Sequence, residues 1–230
     1  LFWWGVGSLV VMAPLLAFCF APPPKAERPA AHRQTVPLSQ LMRAPAFVKI
    51  LIGGFLMNFS VMALGVHLVP MLEDFGAPGP AAVRIAFLMG IISTLMRPLS
   101  GIIMDRSRSS AFGAAMFALP VVVILVLNLG EGQVMLYVAA VILGIAMGSE
   151  VDILAYFVSK YLGANNYGSN FGAIMGVMSL GVGLGPAAAG FLYTATGGYA
   201  TVLWALAPLF LSGAAVIASL GRYPDAPLRD

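Results

Sequence analysis

The chain has 230 residues, 60% of them hydrophobic and 9% charged, with a mean hydropathy of +0.94. A water-soluble domain runs at roughly 45–50% apolar and about 25% charged, so this composition excludes one and makes lipid the solvent for most of the apolar surface. The net charge of +3 is no nucleic-acid signature here, because the basic residues gather in loops between apolar runs. A single cysteine, Cys19, allows no internal disulfide.

A helix needs about 20 mostly apolar residues to cross a hydrocarbon core of ~30 Å. Seven runs are long enough: 1–20, 46–71, 82–104, 111–129, 134–159, 171–195 and 199–221. The first opens on Leu1-Phe2-Trp3-Trp4, inside an apolar stretch. A secretory leader is the rival reading for it. No basic segment precedes the run, however, and basic residues follow it, as after a stop-transfer helix. The expectation is a truncated protein, with 1–20 the last helix of a bundle whose other helices are missing.

Segment 21–45 is the long loop. Its Ala-Pro-Pro-Pro-Lys start suits a semi-rigid connector between two bundles. Lys25, Arg28, Arg33, Arg43 and Lys49 lie in or beside it. Arg106 and Arg108 follow the run at 82–104, Lys160 follows that at 134–159, and Arg222 and Arg229 lie in the tail. The alternate loops carry Glu73 and Asp74, then Glu131, then Gly197-Gly198. This alternation predicts that 21–45, 105–110, 160–170 and the C-terminus are cytoplasmic.

Within the run at 46–71, Asn58 sits at mid-helix and either reaches a cavity or bonds a neighbouring helix. His67, just before Pro70, is an interface residue or a ligand and proton carrier. The run at 82–104 has Ala86, Gly90, Ser93, Arg97 and Gly101 on one stripe, and 134–159 has Ala140, Gly144, Gly148, Asp152, Ala155 and Ser159. Small residues at four-residue spacing mark close helix packing in membranes. Arg84 lies near the outer end of its helix and can snorkel to the interface.

Charges inside a bilayer cost roughly 2.5–3.5 kcal/mol each on insertion scales and face a cavity or a partner. Arg97 lies about 12 Å in from the cytoplasmic end of its helix at 1.5 Å per residue. A guanidinium there can clamp a carboxylate with two parallel hydrogen bonds; the alternative is a structural ion pair. Asp152 has a similar depth. Glu150 stands about 200° around the helix from it, so the two share no cavity unless the helix distorts near Gly148-Ser149. Either acid, Asp152 or Glu150, can carry a coupling proton, or Asp152 can form a fixed pair with Arg97.

Gly163 is expected to close the helix before it, and Ser169 or Asn170 to cap the next. The run at 171–195, with Gly172, Gly176, Gly181, Gly183, Gly185-Pro186 and Gly190, suggests a bent helix in close backbone contact. No metal-ligand cluster, phosphate loop or Ser-His-Asp set can be argued from spacing. No cofactor, metal or enzymatic activity is therefore expected.

The stretch from Arg97 to Arg108, with Gly101, Asp105 and Arg106, resembles the G-x-x-x-D-R-x-G-R signature between helices 8 and 9 of the major facilitator superfamily. Arg108 and Ser109 stand where that signature has its second glycine and last arginine. His67-Leu68-Val69-Pro70, Gly148-Ser149-Glu150-Val151-Asp152, Lys160-Tyr161-Leu162-Gly163 and Gly185-Pro186 are similar to bacterial members of the oxalate–formate exchanger and monocarboxylate transporter group. The resemblance implies an all-α six-helix bundle at 46–221 (helices 7–12), preceded by helix 6 at 1–20 and a central cytoplasmic loop at 21–45, with 222–230 as tail. It also implies an inner gate at Gly101, Asp105, Arg106 and Arg108.

In such relatives an arginine of helix 8 holds the substrate carboxylate, and Arg97 falls at that position. Ser93 stands where animal monocarboxylate transporters have an aspartate. Residues 171–195 contain no lysine to match the helix 11 lysine of the oxalate exchanger, which implies a monoanion.

The expected function is secondary active transport of a small organic anion by alternating access, proton-coupled or by exchange. Arg97, Ser93 and Asn58 are the candidate substrate residues, and Asp152, Glu150 and His67 the candidate proton or ion-pair residues. The expected surroundings are a bacterial inner membrane and a missing N-terminal half. The rivals are transport of another small solute, an uncoupled channel, a membrane receptor or sensor on the same bundle, and an intramembrane enzyme.

Overall fold

The computed structural model describes Val10, Pro14 and residues 41–107, 110–130, 132–163 and 166–224. The chain divides into two compact units, Leu1–Gln34 and Thr35–Asp230. Most of the run at 1–20 and of the connector at 21–45 lies outside the described residues, as do Arg108 and Ser109 of the signature loop.

The second unit is all-α, as the apolar runs require. Its helices are α1 (Pro45–Val66), α2 (Leu68–Asp74), α3 (Gly79–Arg106), α4 (Ala111–Ala118), α5 (Pro120–Leu129), α6 (Gln133–Phe157), α7 (Tyr167–Thr196) and α8 (Tyr199–Ala218). A π-helical turn at Val158–Leu162 prolongs α6. Among the described residues six helical spans are long and apolar enough to cross a membrane. They are α1, α3, α4 with α5, α6 with its π turn, α7 and α8, matching the runs read from 46 onward. Short connections make consecutive spans antiparallel. One end of the bundle therefore gathers His67, Asp74 and Tyr199, and the other gathers Lys49, Lys160 and Gly221.

Proline and glycine set the boundaries. Pro45 opens α1 and Pro120 opens α5, where a missing N–H costs nothing. The run at 46–71 is not one helix: α1 ends at Val66, His67 leaves the helical region at φ −93° and ψ 11°, and α2 follows. Pro70 is the cause. It offers no N–H to the Val66 carbonyl, and its ring crowds that oxygen. Pro120 likewise withholds an N–H, here from the Met116 carbonyl, and divides 111–129 at Leu119, which itself stays helical at φ −54° and ψ −39°. Gly163, at φ 83°, closes the π turn, as expected of a glycine there. Gly197 closes α7 in the left-handed region at φ 76° and ψ 12°. The start of α7 differs from expectation. Asn166 occupies the N-cap position and Tyr167 is already helical, so Ser169 and Asn170 lie inside the first turn.

Lipid is as apolar as leucine, so helices in it associate by close contact rather than by escape from water. Two parallel seams show the device. On α6 a Cβ at Gly144 would lie 2.7 Å from the Met89 carbonyl oxygen of α3, and one at Gly148 would overlap the Ser93 carbonyl. On α7 a Cβ at Gly181 would lie 3.0 Å from the Phe59 nitrogen of α1, and one at Gly185 would overlap the Phe59 carbonyl. Gly53 of α1 admits Ile217 of α8, and Gly113 of α4 admits Phe157 of α6. Phe47, Phe117, Phe157 and Phe210 are fully buried. The stripe on α6 is thus a packing stripe. Gly90 and Gly101 on α3, and Gly172, Gly176 and Gly183 on α7, meet nothing within 4 Å among the described residues. Over their membrane-length windows α3 and α7 bury 17% and 22%, against 56% for α1.

At the Lys160 end the chain's last turn is tied down. The Ser110 N–H and the Tyr161 hydroxyl both donate to the Gly221 carbonyl, at 3.0 and 2.7 Å, and Lys49 Nζ donates to the Ser219 carbonyl at 2.9 Å. Tyr223 then packs against Tyr156, Phe157 and Tyr161, with ring centroids 5.8, 6.4 and 5.5 Å away.

Candidate anion site and buried carboxyls

Arg97 lies on an exposed face of α3, the least buried of the six spans. Its backbone carbonyl accepts the Ser100 hydroxyl at 2.8 Å. Its guanidinium has no hydrogen-bond or ion-pair partner among the described residues. Pro98 follows it and leaves the Thr94 carbonyl without its helical N–H. Ser93, one turn earlier, is half-buried and turns its backbone toward Gly148.

The α3–α6 seam runs in register. Gly144 meets Met89 and Ile92, and Gly148 meets Ser93 and Met96. One further turn along both helices brings Asp152 level with Arg97–Ser100. Asp152 is half-buried, and its Oδ2 is buried without a hydrogen-bond partner. At this level stand a guanidinium and a carboxylate oxygen that each lack a partner among the described residues. Arg97 lies eight residues before Asp105 and Asp152 eight before Lys160, so that level is about 12 Å from the Lys160 end.

Glu150 points elsewhere. It is 2% exposed and its Oε1 has no hydrogen-bond partner. Its side-chain neighbour is Asn58 of α1, itself 5% exposed with Oδ1 unpartnered. The Asn58 oxygen lies 3.0 Å from where a Gly181 Cβ would stand. Asn58 thus sits where α1, α6 and α7 converge, next to the carboxyl on α6. The helix does not open at Ser149 to bring the two acids together. Ser149 Oγ bonds back to the Ile145 and Ala146 carbonyls, at 2.9 and 3.1 Å, and α6 continues regularly to Phe157.

His67 is remote from both acids, at the opposite end of the bundle. Its Nε2 lies 3.1 Å from the Pro186 carbonyl of α7 and its Nδ1 2.9 Å from the Tyr199 hydroxyl of α8. A carbonyl can only accept, so Nε2 carries a hydrogen. In the neutral ring Nδ1 therefore accepts from Tyr199. Tyr199 stacks on Tyr193 at 4.4 Å, and its N–H donates to Asp74 Oδ2 at 2.9 Å. That carboxylate faces the positive end of α8.

Gly101, Asp105 and Arg106 end α3 at the Lys160 end. Asp105 and Arg106 are exposed, and Gly101 has open space where a side chain would be. Arg108, the fourth gate candidate, lies outside the described residues. Sequence reasoning missed three participants. Asn170 is buried with Oδ1 unpartnered. Tyr199 and Asp74 hold the His67 corner. Asp74 was visible as a loop charge, and its place four residues beyond a helix-breaking proline was not a recognisable signal.

A comparison with curated proteins gave no match. Residues 1–181 match the family model described as Major Facilitator Superfamily, which is 181 of 230 residues. Six membrane-length helices, small-residue seams and ionisable groups within the spans agree with that match. The chain is an integral membrane protein and belongs to the Major Facilitator Superfamily, a family of transporters.

Proposed function

We propose that this chain moves a small organic anion, a monocarboxylate foremost, across the membrane by alternating access, coupled to protons or to exchange. The observation that carries the reading is Arg97: a guanidinium with no partner among the described residues, within the apolar span of the helix least covered by its own bundle. A cation so placed is costly until an anion joins it. A carboxylate answers its planar fork with two hydrogen bonds. Ser93 is the adjacent polar residue on the same helix, and Asp152, at the same level on α6, is the acid nearest in register. Displacement of Asp152 by substrate, or its protonation, then changes the charge that Arg97 meets.

In this reading the six spans are helices 7–12, and 1–20 is helix 6 of a partner half. The Lys160 end is cytoplasmic, with the C-terminus, and the membrane is a bacterial inner membrane. Asp105 and Arg106 belong to the inner gate, with Arg108. The resemblance to the oxalate–formate and monocarboxylate group, and the absence of lysine from 171–195, favour a single carboxylate. The test is Arg97→Gln in the full-length protein, reconstituted in liposomes and supplied with short monocarboxylates. Loss of saturable uptake is expected. Unchanged uptake overturns the assignment, and unsaturable flux favours a channel.

A further inference from the structure

We infer that Glu150 and Asn58 form a two-state proton site in which rotation of the Asn58 amide accompanies protonation of the Glu150 carboxyl, in space left by Gly181. The inference rests on the transporter reading above and names which acid carries the proton. The Asn58 side chain is hydrogen-bonded to the Glu150 carboxyl, and two acceptor oxygens of the pair, Glu150 Oε1 and Asn58 Oδ1, are buried without a donor. An unsatisfied buried acceptor costs about 1–3 kcal/mol.

One proton, together with a half-turn of the amide, gives both of these oxygens a partner. The neutral carboxyl donates its O–H to Asn58 Oδ1, and no charge remains in the apolar core. When the proton leaves, the same amide turned by half a revolution offers its N–H2 to the carboxylate, a charge-assisted bond. Asparagine serves both states because it carries an acceptor and a donor on one planar group. Leucine serves neither state, and aspartate adds a second acid.

A cation is a poorer occupant. A hard cation takes about six oxygens or more. Among the described residues no group of three metal-ligating side chains gathers.

Glycine at 181 is part of the site. A Cβ there would lie 3.0 Å from Asn58 Oδ1, so a side chain on α7 would press on the turning amide. The proton site is thereby joined to the α1–α7 seam and senses how closely α7 lies on α1. Among the described residues no charged group reaches the pair, and Lys49 of α1 is held by the Ser219 carbonyl. Asp152 is level with α3, Arg97 is on the exposed face of α3, and His67 is held at the far end by Pro186 and Tyr199. α4, α5 and the π turn, which also pack on α6, bring Lys160 alone, and Lys160 stands over the Tyr156 ring at 5.2 Å.

The test is infrared titration of the carboxylic C=O band in the full-length protein in liposomes, without substrate. A titrating band is expected in the unmutated protein. It should be lost in Glu150→Gln and kept in Asp152→Asn, and its midpoint should move by about one pH unit in Asn58→Leu. Carboxyl-labelled glutamate in the unmutated protein should shift the band, an arm that needs no variant to fold. A band that survives Glu150→Gln, a band unmoved by labelled glutamate, or a midpoint indifferent to Asn58→Leu overturns the site. Because the band needs no substrate, it separates the two ideas. A titrating Glu150 with no monocarboxylate uptake sinks the substrate reading alone. Uptake that depends on Arg97 beside an indifferent Glu150 sinks this one alone.

Discussion

Gly185 of α7 lies so close to Phe59 of α1 that a methyl group on it would overlap the Phe59 carbonyl oxygen. The neighbour is backbone, which cannot swing aside as a side chain can. Gly185→Ala should therefore cost about 1–3 kcal/mol through overpacking. Gly176→Ala, on the same helix but facing open space, should be neutral or gain up to about 1 kcal/mol from helix propensity. Thermal unfolding in detergent, comparing the two variants, checks this. Equal effects would show that the α1–α7 seam is looser than described.

The His67 corner couples two helices through one ring. Tyr199→Phe should cost about 1 kcal/mol by leaving Nδ1 without its donor. His67→Phe removes the bonds to both Tyr199 and Pro186 and should cost more. A double-mutant cycle between the two positions should return an interaction energy of at least about 0.5 kcal/mol. Strict additivity would mean that the 2.9 Å contact contributes nothing.

Arg97→Lys keeps the charge and loses the fork. If a carboxylate is held bidentately, KM should rise roughly tenfold, equivalent to about 1.4 kcal/mol. The maximal rate should change less. An unchanged KM would mean that Arg97 acts as a point charge or not on the substrate at all.

Tyr223 lies beyond the last span, and burial among aromatic rings pushes its phenol up from 10.0 to about 12, with the nearby tyrosines adding and a bond with Ser107 opposing. Below pH 10 it is neutral whether folded or unfolded and contributes no pH dependence. Between about 10 and 12 the unfolded chain ionises while the folded chain does not, so stability falls as pH rises through that window. Phenolate absorbance should show a late-titrating tyrosine that disappears in Tyr223→Phe. A spectrum identical between the two proteins counts against the burial.

The spans from 46 onward were legible because a bilayer demands about 20 apolar residues in a row, and nothing subtler was needed. The bend at His67 was legible in principle from Pro70, since the missing N–H falls four residues after Val66. The stripe spacing predicted contact at Gly144 and Gly148, and contact is there. The same spacing at Gly90 and Gly101 has no neighbour. Periodicity names a face, and which face meets a helix depends on where the other helices stand.

Long-range pairings were illegible for the same reason. His67 finds partners 132 and 119 residues away. The Asn58–Glu150 neighbourhood joins α1 to α6 with no local pattern to announce it. Arg97 and Asp152 were visible as charges in apolar helices. Their similar depth was legible from spacing; that α3 and α6 are the helices that meet there was not, and the folded seam supplies it.

The π turn at Val158–Leu162 changes what the end of α6 can hold. A π turn closes its bonds one residue later than an α turn, so every side chain beyond Phe157 is swung around the axis. Phe157 stays pointed into the protein while Tyr161 swings far enough to catch the Gly221 carbonyl. The extra residue works as a spacer that trims one helix to meet another chain end. Removing a single residue from that turn would let the helix rewind, and the clasp on the last turn of the chain would come undone without any change to the groups that form it.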